Sequence, residues 1–168
     1  PASVGAIRRH LLTLRDASYQ VFQSRLLPDL DDSLVIGVRT PLLRSYAREI
    51  FKNGQAEAFL QALPHVYFEE NNLHAFLLEK ERDFARALSQ VDAFLPYVDN
   101  WATCDQMNPR VFRRNLPVLH QKAVEWIGSL HPYTVRYGIG VLMRYFLEDA
   151  FSYDDFALAA SAQGDAYY

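Results

Sequence analysis

Residues 117–147 read PVLHQKAVEWIGSLHPYTVRYGIGVLMRYFL, and this stretch decides the fold class. Its first half, 117–130, is a long amphipathic pattern with Val118, Ala123, Trp126 and Ile127 on the apolar side. His131-Pro132 then opens a second pattern, 133–147, which is apolar on most sides and so is expected near the centre of the molecule. Two helices joined by so short a turn are antiparallel neighbours. The same period runs outward to both ends. Ile7, Leu11, Leu14 and Ala17 recur every three or four residues, Tyr19 and Phe22 extend that face, and the break comes at Leu27-Pro28-Asp29. Residues 31–39 read as a loop with a short β-like run, Leu34-Val35-Ile36. Thr40-Pro41 reads as an N-cap followed by Pro at the first helical position, and Gly54 stops that helix. Further helices are expected over 55–63, 69–80 (with Leu73, Phe76 and Leu77 inward), 83–95, from Trp101 behind a capping Asn100 or Asp99, briefly from Pro109, and over 153–162. No segment sustains period-two alternation. The chain is therefore all-α, with about nine or ten helices. A bundle and a solenoid of helix pairs both fit this pattern, because no clean sequence repeat separates them.

Composition agrees. Half of the 168 residues are hydrophobic and 14% aromatic, enough to bury a sizeable core. The only cysteine is Cys104, so no intrachain disulfide forms, and a reducing, cytoplasmic compartment is expected. No apolar run is long enough to span a bilayer, so no membrane partner is expected. The amino end, PASVGAIRRH, has no apolar signal core and begins without Met, as a processed or trimmed terminus would. Net charge is −3, which by itself does not suggest nucleic acid. Its distribution does. Residues 101–147 hold six cations (Arg110, Arg113, Arg114, Lys122, Arg136 and Arg144) against two anions, a local +4 between a net-acidic 1–100 and an acidic 148–168. A solvated helical face is the plainer reading of that charge run.

Few motifs carry chemistry. The five histidines lack ligand spacing and no Cys pair supports them, so no metal is expected. Gly138-Ile139-Gly140 lies within a helix and lacks the strand and Lys of a phosphate loop. Cys104, mid-helix among apolar residues, reads as an inert buried thiol. Two segments remain. Trp101 and Asp105 are four apart and share a helix face. That pair reads either as a core Trp with a capping or ion-paired Asp, or as an unusual functional surface. Arg136 and Arg144 are eight apart on one face, about 12 Å from each other along the axis. They read either as arginines paired with Asp or Glu, or as two phosphate clamps.

Four segments together resemble the DNA alkylation repair family, the AlkD-like glycosylases. They are 34–44 (LVIGVRTPLLR), 67–78 opening on Tyr67-Phe68-Glu69-Glu70, 94–105 (FLPYVDNWATCD) and 135–139 (VRYGI). The similarity runs from about Phe22 to the carboxyl end. The resemblance implies an α-α superhelix, a solenoid of degenerate HEAT-like helix pairs spanning 1–168 as one domain. It implies a DNA glycosylase of base excision repair that hydrolyses the N-glycosidic bond of cationic 3-methyl- and 7-methyl-type purines in duplex DNA, without metal or cofactor. Asp105 then falls on the catalytic aspartate, Trp101 on an aromatic against the lesion's sugar, and Arg136 on a functional arginine at the DNA face. Arg144 falls on a DNA-contacting position, and Arg39 near another where Gln also occurs. Arg113 and Arg114 are expected to join them on DNA. The family continues past Tyr168, so the chain is expected to be truncated at its C-terminal end. Tyr167-Tyr168 would open a helix bearing a second sugar-facing Trp, whereas Trp126 reads as core. The competing reading is a non-catalytic DNA-binding or protein-binding helical-repeat protein on the same scaffold. Nothing in the sequence sets an oligomeric state.

Overall fold

The computed structural model describes residues 4–147 and 152–162. Among them are ten α-helices and no strand: α1 (Val4–Thr13), α2 (Ala17–Arg25), α3 (Thr40–Lys52), α4 (Ala56–Gln61), α5 (Phe68–Leu78), α6 (Phe84–Phe94), α7 (Trp101–Gln106), α8 (Leu116–Ile127), α9 (Pro132–Tyr145) and α10 (Tyr153–Ser161). A 3-10 turn, Arg110–Arg114, joins α7 to α8. One row of the stack is α3, α5, α7 and α9, each packed on the next. Against that row pack α4 and α6 on α5 and α8 on α9, and α10 packs in turn on α8. Stacked helix pairs of this kind make an α-α superhelix. The helix expected to open at Tyr167-Tyr168 lies outside the described residues.

Most helix ends are set locally. Side chains of Asp16, Asp83, Asn100, Asn115, His131 and Ser152 each accept a backbone N–H of the following first turn. Gly54 follows α3 with φ 69°, a conformation that costs glycine nothing. Three expectations change. The pattern over 7–22 is two helices rather than one, because Asp16 caps α2 and its own N–H bonds to Gly37 O at 2.9 Å. Phe22 consequently turns to solvent, 57% exposed. Helix α3 starts one residue early, with Arg39 at the cap and Thr40 inside. Helix α9 is not central: Tyr133, Val135, Tyr137, Val141 and Leu142 are buried, but Met143 is exposed. On its inner side α9 meets α8 so closely that a Cβ on Gly138 would lie 2.8 Å from Ala123 O.

The central helix is α5, buried at every position from Phe68 to Leu78. Leu73, Phe76 and Leu77 enter one core cluster with Ile7, Leu43 and Phe59. Ala75 and Leu78 enter a second, with Phe94, Phe112 and Trp126, and Phe68 enters a third, with Leu27, Val35 and Ala102. Glu69, Glu70, Asn72 and His74 are buried with hydrogen-bond partners outside the helix, whereas Asn71 Oδ1 is buried without one. The Glu69 carboxylate accepts N–H bonds from Ile36 (2.9 Å), Gly37 (2.7 Å) and Val38 (3.2 Å). The β-like run thus spends these amides on a side chain rather than on a sheet. Burial pushes the Glu69 carboxyl up, against the pull of those amides. Burial also raises Glu70, but Arg8 and the amides of Tyr67 and Val66 outweigh it and hold the carboxyl below its ordinary value. Asn72 accepts from the Thr103 hydroxyl at 2.8 Å, tying α5 to α7.

His65 Nε2 lies 2.9 Å from His74 Nδ1, with the His65 ring stacked on Phe59 and the His74 ring on Phe94. Only one of two facing ring nitrogens can carry the bridging proton. Burial pulls His65 down to about 4 and His74 well below its ordinary value. Both rings are therefore neutral in the fold, while free histidine titrates near 6.5. Their stabilisation is complete above about pH 6.5 and is lost as pH falls toward 4, about 3 kcal/mol for His65 alone. The thermal midpoint should drop across that window, and drop less in His65→Asn. Parallel pH profiles for the two proteins would refute the assignment.

Candidate functional site

Asp105 sits in the last turn of the six-residue α7. Its carboxylate takes a bidentate pair of bonds from Arg136 on α9, Nε to Oδ1 at 2.8 Å and Nη2 to Oδ2 at 2.7 Å. Arg144, two turns further along α9, donates from Nη2 to the Asp105 backbone carbonyl at 3.2 Å. That carbonyl is one of the last of α7, and such carbonyls lack helical partners. Two arginines of one helix thus clamp the end of another. The hydrogen bond from Arg136 to Asp105 raises the guanidinium pKa further, against burial. The pair stays open to solvent, with the Asp105 side chain 44% exposed and Arg136 30%.

A groove of about 700 Å³ opens onto this pair. Arg136, Gly140, Met143 and Arg144 of α9 form one wall, Asp105 its head, and Ala159 of α10 the far side. A Cβ on Gly140 would meet nothing within 4 Å, so the bare backbone there leaves the groove wide. Bidentate pairing occupies one lone-pair site on each Asp105 oxygen, and an ionised carboxylate has about four. The remaining sites are available to a positive charge or a water.

The other expected site residues are dispersed around this centre. Trp101 is on the same helix but outside the lining of that groove. It is half-buried, packs beside Leu27, Val35, Phe68 and Ala102, and donates Nε1–H to Leu26 O at 2.9 Å. Arg113 lies over the Tyr145 ring, 5.5 Å from its centre. Arg114 donates to Arg82 O and faces a separate cleft. Arg39 is exposed and bonded to Asp16 at 2.8 Å, with its guanidinium 5.0 Å from the Tyr19 ring centre. Cys104 is buried, donates to Tyr133 O, and burial pushes its thiol up, which removes it as a nucleophile. Trp126 is buried in the core and bonds Asp92. Among the described residues no group of three or more His, Cys, Asp or Glu is arranged to hold a metal, and no helix is long and apolar enough to cross a membrane.

Stacked helix pairs that present a carboxylate, paired with an arginine, in a wide groove define an α-helical superhelix with a charged groove. The chain belongs to the DNA alkylation repair enzyme family, whose model matches residues 7–165. That places its role in DNA repair, with DNA as substrate or partner. No curated protein and no solved structure matches it.

Proposed function

We propose that the protein is a DNA glycosylase that releases cationic alkylpurines, of the 3-methyl and 7-methyl type, from duplex DNA. The observation that carries this reading is the Asp105 carboxylate, ion-paired with Arg136 yet open to a 700 Å³ groove, in a chain of this family. An alkylated purine leaves as a neutral base, since the electron pair of the breaking C1′–N bond cancels its positive charge. No general acid is required. The sugar left behind is an oxocarbenium-like cation. Asp105 stabilises it electrostatically and orients a water, whose oxygen bonds to C1′ and whose proton passes to the carboxylate or to solvent. The products are an abasic site and the free base. Arg136 positions the carboxylate, and Arg144, Arg113, Arg114 and Arg39 hold phosphates. Trp101, tied at its indole N–H, excludes solvent beside the sugar and favours its positive charge through the π face. The groove asks for no base pocket, so the lesion need not be flipped into one. HEAT-like repeats are the scaffold this reading implies.

The bidentate Asp105–Arg136 pair favours a second reading, a non-catalytic DNA-binding member of the family in which the pair only braces α7. One assay separates them. Purified protein incubated with methylated duplex DNA should liberate 7-methylguanine or 3-methyladenine, measured by chromatography of the free bases. A folded protein that binds this duplex and liberates none is the second kind.

A further inference from the structure

A second cleft, about 310 Å³, lies between the C-terminal end of α5, the Arg110–Arg114 turn and Phe51 of α3. Lys80, Arg82, Arg110 and Arg114 line it, with Arg44 and Arg48 close enough to act on Lys80. Two carboxylates are also present, and both are already engaged. Glu79 holds Arg44, at 2.9 and 3.4 Å. Glu81 holds Arg86 at 3.2 Å and accepts the backbone N–H groups of Arg82 and Asp83. Among the described residues Arg48, Lys80, Arg82, Arg110 and Arg114 have no carboxylate partner. Burial lowers the Lys80 pKa, Glu79 opposes it, and Arg110, Arg48 and Arg44 add to the lowering, so these cations lie close enough to act on one another.

We propose that this cleft binds backbone phosphates of the duplex whose damaged nucleotide lies at the Asp105 groove. The inference rests on the DNA-directed reading above. Guanidinium forks and an ammonium are suited to phosphate, and the two acidic neighbours form their ion pairs with Arg44 and Arg86 instead. Position supports a duplex over a free anion. Arg110 follows Asp105 by five residues, so the cleft begins within about 17 Å of the groove, the length of about five base pairs. Arg113 on the same turn lies over the ring of Tyr145, the residue that follows Arg144 on α9.

The test is fluorescence-anisotropy titration of an undamaged duplex over a range of salt concentrations. Wild type is compared with Lys80→Gln/Arg110→Gln and with a second variant on the cleft's rim, Arg48→Gln/Arg82→Gln. All changed side chains are exposed or partly so, and unchanged thermal midpoints establish that the variants fold. The expected result is about tenfold weaker binding for each variant and a salt slope shallower by about 2. Wild type that binds with both variants matching its slope overturns the cleft and leaves the glycosylase reading standing. Wild type that binds no duplex overturns both. A second arm replaces DNA by inorganic phosphate at ionic strength matched with chloride. Wild type and variants should then share one thermal midpoint. A phosphate-specific rise in wild type alone, with duplex slopes unchanged, would assign the cleft to a free anion and overturn the proposal.

Discussion

Asp105→Asn should cut base release by about a hundredfold to a thousandfold while leaving the fold intact and duplex binding as tight as wild type or tighter. The two halves of that expectation have opposite signs for one reason. Among the described residues the carboxylate is the only negative side chain lining the groove, so removing its charge favours a polyanion. The same charge stabilises the developing oxocarbenium ion, and losing one such electrostatic contact at a reaction centre costs about 3–4 kcal/mol of barrier. Stability is nearly untouched, because a pair as exposed as Asp105–Arg136 is worth about 0–1 kcal/mol, and Arg136 can rehydrate. Single-turnover release from methylated duplex, beside an anisotropy titration, reads both halves. Release at the wild-type rate from a variant that binds normally would remove Asp105 from the chemistry and leave only the bracing role.

Glu69→Ala should be among the most destabilising single changes in the chain. It strands three buried amides, those of Ile36, Gly37 and Val38. At about 1–3 kcal/mol for each orphaned donor, the loss is at least about 3 kcal/mol, a drop of roughly 10 °C in thermal midpoint for a chain of this size. Gly37 closes off easy compensation. It has φ 92°, and its Cα lies so near the α2 cap that an added Cβ would be 2.6 Å from Asp16 O. The loop cannot simply turn its amides to water without undoing the Asp16–Gly37 bond. Calorimetry checks the midpoint, and amide exchange at 36–38 checks the cause. A midpoint within about 2 °C of wild type would show that water satisfies those amides as well as the carboxylate does.

These two residues also mark what was legible beforehand. Helix starts set by a nearby side chain, at Asn100 and Asp83, can be read from sequence because cap and helix are adjacent. The α1–α2 break could not, since Asp16 is fixed partly by Gly37, twenty-one residues away. Glu69, Glu70 and Asn72 look like part of a solvated first turn, and only their distant partners explain their burial. At the site, the shared helix of Trp101 and Asp105 followed from spacing, and an acidic partner for Arg136 was one of two readings. Which carboxylate it chose depends on how α7 and α9 pack. The cation cleft was hidden by averaging: Arg44, Arg48, Lys80 and Arg82 belong to a segment whose net charge is negative, and folding brings them to the Arg110–Arg114 turn.

Helix α7 has six residues, well short of what holds a helix together in isolation. Its shape is borrowed: Asn100 and Asn72 anchor its start, Tyr133 O engages Cys104, and the two α9 arginines close its end. A fragment ending before residue 132 would therefore lose more than two cations. The strand of chain bearing Asp105 would have no reason to coil, so the aspartate acquires its bearing only once later-synthesised sequence has docked.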